Sequence, residues 1–372
     1  MLCTIQKRFV SISTRIASLS LVQNLRSGGI PARLAGRRSL PGANEIDNAY
    51  PAFLAQPRVN FPVIYTPSRK EDLGAGDPVL NWVSVARDLL DTNLPRYGAI
   101  ILRGLPIDSP HAFSKFMCEL GYQFMTYEGG TAVRQSVEKN VFTASGHPPS
   151  VCIEPHNEMA YSHRFPSKIF LFCEIPPLPG CGGESVVVDI RDIKSKLSHD
   201  LLDKFRRLKV RYYHHFPSGD PGAHSSWQQV FSTGNKHDVE SFLTKHNYDF
   251  EWTQNDSLLY SHVIPAFICH PTTGEELWFN QIHLHHATFF KCHPKWIDAQ
   301  LTNLEYPLHS CYGNGEEFEP DTLQKVRNAI WQVAVGLQLK RGDILVTDNV
   351  TVQHGRLGFT GQRRLLVSIT KD

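Results

Sequence analysis

The chain has 372 residues, 41% hydrophobic and 20% charged, which suits a globular protein with one or two domains and a sizeable core and argues against a disordered chain. Its formal net charge of +2 conceals an asymmetry: seven Lys and Arg precede the first acidic residue, Glu45, so the body beyond residue 44 has 38 − 7 = 31 basic against 36 acidic residues, or −5. A mildly acidic body lacks the clustered cations that nucleic acid requires, and no run approaches the ~20 apolar residues of a membrane span.

Residues 1–44 are Arg- and Ser-rich and free of acid, the composition of a mitochondrial presequence, with a disordered basic tail on a cytoplasmic protein as the alternative. Residues 45–59 read as a connector, and ordered structure is expected over 60–372, beginning near "FPVIYTP". Trp82, Val85, Ala86, Leu89 and Leu90 recur at helical spacing. A second helix is signalled by Ser109 as cap, Pro110 in the first turn, the stripe Phe113, Phe116, Met117 and Leu120, and Gly121 as its stop. "GAIILRGL" between them has strand length.

From residue 150 the chain turns to short apolar runs separated by Pro and Gly: "KIFLFCEI", "SVVVDI", "VRYYHHF", "SLLYSHVIPAFICH", "LWFNQIHL", "LQLKRGDILVTD" and "RRLLVSITK". Helical stretches are predicted near 191–207, 237–246 and 320–334. Many strands that do not alternate with helices predict a mainly β protein with flanking helices, a barrel or sandwich, and exclude a doubly wound nucleotide fold. The eight cysteines include no CxxC pair, which fits a reducing compartment and speaks against a zinc ribbon or a disulfide scaffold.

"EPHNEMAY" sets His156 and Glu158 two residues apart; on a strand they would share a face and direct an imidazole nitrogen and a carboxylate oxygen toward one point. With 18 histidines in the chain this pair alone is weak evidence. The C-terminal "GDILVTDNVTVQHGRLGFTGQRRLLVS" adds His354 just after a strand and its turn, and Arg363-Arg364 at the start of the next strand. Two histidines and one carboxylate match the facial triad of non-heme iron(II) oxygenases, and an arginine can answer the distal carboxylate of 2-oxoglutarate. "PGCGGESVVVD" offers Ser185 at the head of a strand, where its hydroxyl can donate to that cosubstrate.

The order HxE, "CEIPP…GGES", "WFN" and "DN…QHGR…QRR" resembles the TauD/TfdA family of iron(II)- and 2-oxoglutarate-dependent dioxygenases, most closely its clavaminate synthase-like members, over roughly residues 60–372. The resemblance implies a double-stranded β-helix, the jelly-roll, with iron(II) on His156, Glu158 and His354. It also implies 2-oxoglutarate on Arg364 with Ser185 in support, and dioxygen as oxidant. The register at the arginine pair is open by one residue; if Arg364 faces inward, Arg363 faces outward. The implied reaction hydroxylates or desaturates an unactivated C–H bond of a small molecule and releases succinate and carbon dioxide.

Asn280, Gln281 and His283 in "WFNQIHLHH" are candidate substrate contacts. His283 and His285 repeat the i, i+2 spacing, but packing or hydrogen bonding on a solvated strand edge is preferred to a second metal. Sulfonate-binding relatives have a further arginine four residues after the cosubstrate arginine, where this chain has Ser368, which argues against taurine-like substrates. Trimethyllysine or butyrobetaine hydroxylation and a catalytically degenerate binding protein are the alternatives.

Overall fold

The run Lys168–Ile175 forms the strand expected of it, and its alternation sets the architecture. Ile169, Leu171 and Cys173 face one core while Phe170 and Phe172 face another, because successive strand residues point to opposite sides. Strands Ile344–Asp348 and Arg364–Lys371 pair antiparallel along its two edges, within a nine-stranded sheet. The Phe170 side is covered by the two predicted helices, Val83–Tyr97 and Pro110–Leu120. The second starts as its sequence dictates: the Ser109 hydroxyl accepts the Ala112 N–H at 3.3 Å, Pro110 opens the first turn, and Gly121 ends the helix at φ 73°.

The other face of the large sheet meets a four-stranded sheet in the order Val335–Leu337, Ser185–Asp189, Val352–Arg356, Ile153–His156. Ile169, Leu171, Leu365, Val367 and Ile369 from the first sheet and Val186, Val187, Val188, Val335, Leu337 and Val352 from the second share one core. The fold is therefore mostly β with flanking helices, the jelly-roll. A further four-stranded sheet, in which Val210–Phe216 lies between Leu258–Ile264 and Leu308–Tyr312, extends the walls of the barrel.

The computed structural model describes residues 18–21, 41, 54, 58, 60–68, 77–127, 130–131, 134–219, 225–253 and 255–371. Most of the leader therefore lies outside the described residues, but Leu19–Leu21 pairs antiparallel with Val63–Pro67 as an edge strand of the large sheet. Leu54, within the expected connector, packs into the main core. Two predicted strands divide where their punctuation falls: Leu258–Ile264 separates from Phe267–Cys269 around Pro265, and Val335–Leu337 from Ile344–Asp348 around Gly342. The run "LWFNQIHL" stops being a strand at Trp278. Among the described residues all seven cysteines are free, and no helix is long and apolar enough to cross a membrane.

Candidate active site

Strands Ile153–His156 and Val352–Arg356 lie side by side with His354 directly opposite His156, their ring centroids 4.6 Å apart. The pairing shifts register before Arg356, and the backbones approach so closely that a Cβ on Gly355 would meet the Ile153 carbonyl oxygen at 2.7 Å and the Pro155 nitrogen at 3.0 Å. Only glycine fits there.

Glu158 reaches the same point by a different route from the strand parity expected of it. The strand ends at His156, and Glu158 sits in the turn that follows. Asn349 fixes that turn: its Oδ1 accepts the Glu158 N–H at 2.7 Å, and its Nδ2 donates to the Glu158 carbonyl at 3.0 Å and the Pro166 carbonyl at 2.8 Å. Asn157 returns a bond to the Asn349 carbonyl at 2.7 Å. The next residue, Met159, adopts φ 57°, a left-handed conformation uncommon outside glycine.

The three side chains bring their ligand atoms within 4.8 Å of one another. Glu158 Oε2 lies 3.8 Å from His156 Nε2 and 3.5 Å from His354 Nε2. The Nδ1 of His156 is 2.9 Å from the Glu154 carbonyl, an acceptor, which assigns the ring proton to Nδ1 and leaves the Nε2 lone pair for a metal. Burial, with the neighbouring His156 and Arg134, lowers the pKa of His354 against the opposing pull of Glu158, favouring the neutral, ligating form. Burial alone would raise Glu158, but the Arg134 charge, with the two histidines beside it, outweighs burial and holds the carboxyl well below its usual range. Two imidazoles and one carboxylate facing a common point fit a metal of the 2-His-1-carboxylate kind.

The triad opens into a cavity of about 360 Å³ that Ser185, Arg356 and Arg363 also line. Arg363 Nε donates to the Gly183 carbonyl at 2.8 Å and its Nη2 lies 3.2 Å from Ser185 Oγ. Arg364 points the other way: it is exposed and pairs with Glu174 at 3.0 Å. Alternation explains the choice, since Leu365 and Val367 line the cavity while Leu366 packs against the helices outside the sheet. Of the arginine pair, whose register the sequence left open by one residue, Arg363 is the one that lines the cavity and Arg364 does not.

Arg356 Nη2 donates to the carbonyls of Pro148 and Val151, both at 2.9 Å. Burial pushes Arg356 and Arg363 each down to about 10, and Arg356 adds repulsion at Arg363. Neither makes an ion pair among the described residues. Two desolvated cations without a carboxylate form a site for an anion. Arg356 was legible in "QHGR", two residues after His354, and Asn349 in the "DN" of the same motif; Tyr127 and Arg134 had no comparable signal.

Of the three candidate substrate contacts only Gln281 lines the cavity. Asn280 Nδ2 donates to the Ala266 carbonyl at 3.1 Å and His283 Nε2 to the Pro155 carbonyl at 2.8 Å, so both brace the backbone. They are buried rather than set on a solvated strand edge, because residues 279–286 form turns and connections. Leu284, His285, Phe289, Phe290 and Trp296 from this region supply the cavity wall.

A second group, His286, His309 and Glu317, also gathers possible ligand atoms. Here His286 Nδ1 accepts the Thr288 N–H at 3.1 Å, which leaves the proton on Nε2, and His309 Nε2 is engaged by Glu317 at 3.0 Å. Hydrogen bonding already accounts for this cluster.

The family described as taurine catabolism dioxygenase TauD, TfdA family, matches residues 68–370. The chain is 31% identical over 283 residues to the dapdiamide synthesis protein DdaC of Enterobacter agglomerans, covering 75% of this chain and 84% of that protein. It is 27% identical over 329 residues to a clavaminate synthase-like protein of Arabidopsis thaliana, covering 87% and 94%. The solved PvcB protein of Pseudomonas aeruginosa superposes with a TM-score of 0.46 at 12% identity, over 87% of this chain and 92% of that one. The chain belongs to the TauD/TfdA family and is an iron(II)- and 2-oxoglutarate-dependent dioxygenase.

Proposed function

We propose that this protein oxidises an unactivated C–H bond of a small molecule, by hydroxylation or desaturation, with iron(II) held by His156, Glu158 and His354 and 2-oxoglutarate anchored by Arg363 and Ser185. The observation that supports this most is the presence, in one cavity, of the three-ligand group and two arginines, one buried and one partly buried, that lack carboxylate partners among the described residues. Ser185 pairs with Arg356, two residues along the sheet from the Val187–His354 pair. Two residues of strand span about 7 Å, the reach of a five-carbon diacid between a metal and a cation.

Iron supplies the activation of dioxygen; the protein orients, neutralises charge and excludes water. Arg363 fixes the far carboxylate and Ser185 offers it a hydroxyl. Leu171, Leu365 and Val367 keep that end of the cavity apolar, which strengthens both contacts. The opposite wall, with Leu284, Phe289, Phe290 and Trp296, suits a substrate with an apolar body. Counting four residues from Arg363 reaches Val367, which lines the cavity and has no charge for a sulfonate. We further propose that the acid-free leader directs the chain to mitochondria, which import into isolated organelles would test; a leader inert in that assay overturns it.

The test is anaerobic titration of the full-length chain with iron(II) and then 2-oxoglutarate, following the visible metal-to-ligand charge-transfer band of a chelated keto acid. The expected result is one band per chain, absent in His156→Ala and His354→Ala. A folded wild-type chain that binds neither would sink the proposal.

A further inference from the structure

The proposed triad leaves one carboxylate oxygen unaccounted for, and its surroundings are specific. Glu158 Oε2 is the oxygen that faces both histidines. Oε1 accepts the Tyr127 hydroxyl at 2.5 Å and lies 3.0 Å from Arg134 Nη2. The guanidinium of Arg134 stacks on the Tyr127 ring, 4.3 Å from its centroid, so the two donors brace one another. The Arg134 and Glu158 side chains are only 6% and 5% exposed, which leaves little solvent to replace either bond. The backbone of Glu158 is separately fixed by Asn349.

We propose that Tyr127 and Arg134 are positioning residues that confine Glu158 to binding the metal through Oε2 alone, and thereby keep open the positions that 2-oxoglutarate and dioxygen require. This rests on the triad assignment made above. A facial triad occupies three of six octahedral positions, and a cosubstrate that chelates takes two more, leaving one for dioxygen. A glutamate that chelated through both oxygens would remove one of these. To do so here, Oε1 would have to leave a phenol and a guanidinium in a buried site, exchanging two charge-assisted hydrogen bonds for one metal bond. Asn349 holds the near end of the residue and the Tyr127–Arg134 pair holds the far end, so the carboxylate keeps a single orientation before the metal arrives.

The experiment uses full-length wild type, Arg134→Gln, Arg134→Lys and Tyr127→Phe, each loaded anaerobically with iron(II). Bound iron per chain is measured by dialysis, and the charge-transfer band per bound iron by titration with 2-oxoglutarate. Arg134→Gln is expected to weaken iron binding on the order of 10- to 100-fold. At iron saturation its band per bound iron should fall and its 2-oxoglutarate affinity should drop about tenfold or more, the mark of a lost coordination position. Tyr127→Phe removes one hydroxyl and should show a smaller loss of the same kind. Arg134→Lys keeps a cation and should recover part of the band. A merely structural role predicts that iron and band fall in strict proportion, and that result overturns the proposal, as does an Arg134→Gln band and 2-oxoglutarate affinity equal to wild type. Should Arg134→Gln fail to fold by circular dichroism, Tyr127→Phe decides alone: a wild-type band per iron overturns the inference. A wild-type chain that gives no band refutes the functional reading itself, and this inference with it.

Discussion

The exchange of roles between two adjacent arginines gives the sharpest test of the cosubstrate site. Arg363 lines the cavity beside Ser185, whereas Arg364 lies on the outer face with Glu174. Removing the Arg363 guanidinium deletes charge-assisted hydrogen bonds to a carboxylate, each worth about 1.5–3 kcal/mol, so Arg363→Gln should weaken 2-oxoglutarate on the order of 10- to 150-fold. Arg363→Lys retains charge without the planar fork and should fall between. Arg364→Gln breaks an exposed pair worth about 0–1 kcal/mol to stability and should leave cosubstrate affinity unchanged. Ser185→Ala loses one hydrogen bond to the cosubstrate carboxylate, about 1.5 kcal/mol, or roughly tenfold. The assay is the anaerobic charge-transfer titration at saturating iron(II), read as the dissociation constant of 2-oxoglutarate. Weaker binding in Arg364→Gln than in Arg363→Gln would refute the facing deduced from the strand.

Iron(II) should bind more tightly in the presence of 2-oxoglutarate, and by thermodynamic reciprocity the cosubstrate should tighten by the same factor with iron; anaerobic dialysis with each ligand alone and together measures both. Arg327, 2% exposed, pairs at 3.2 Å with fully buried Glu154, whose carbonyl orients His156, so Arg327→Met should cost about 3–5 kcal/mol in urea unfolding. Arg327→Met combined with Glu154→Gln should recover part of that loss. Burial lowers His262 and His283 from about 6.5 to about 4, so as pH falls the unfolded chain binds these protons first. Stability should decline between pH 6.5 and 4 by about 3 kcal/mol for each histidine and level off below that window. His283→Gln, which keeps a donor for the Pro155 carbonyl, should flatten the decline in a thermal-melt series, and an unchanged slope would remove His283 from the account.

Most strands were legible because they are short apolar runs bounded by Pro and Gly. Lys168–Ile175 and Val210–Phe216 lie where the residues put them, and Ser109 and Gly121 bound their helix as capping chemistry requires. The histidine pair across two strands followed from motif order, but Glu158 did not follow from strand parity. Its position depends on Asn349, 191 residues away in sequence, which no local spacing reveals. The facing of the arginine pair stayed open by one residue for a related reason: motif order counts residues, whereas facing is set by how a strand enters the sheet, and a register shift lies between Arg364 and Leu365. Asn280 and His283 looked like ligand contacts because they are polar and clustered. Once the strand stops at Trp278, such residues are needed to satisfy buried carbonyls, which is what both do.

Charge connects these parts. Without metal or cosubstrate the cavity lining sets Glu158, at −1, against Arg134, Lys295, Arg356 and Arg363, at +4 together. The net of +3 opposes a divalent cation that arrives alone and favours a dianion. Iron(II) and 2-oxoglutarate together add no net charge, so the pair enters at less electrostatic cost than the metal by itself, and this is the source of the mutual tightening expected above. The arrangement also separates the tasks of the three arginines. Arg134 is already engaged by Glu158 and stacked on Tyr127, so it is poorly placed to take the cosubstrate. Arg356 spends its Nη2 on two backbone carbonyls. Arg363, braced by Gly183 and next to the Ser185 hydroxyl, is the cation placed for the far carboxylate, and an alanine at Gly183 would press its new Cβ to 2.9 Å from the Arg363 side chain. The glycine-rich turn before Ser185 thus serves the arginine as much as the serine.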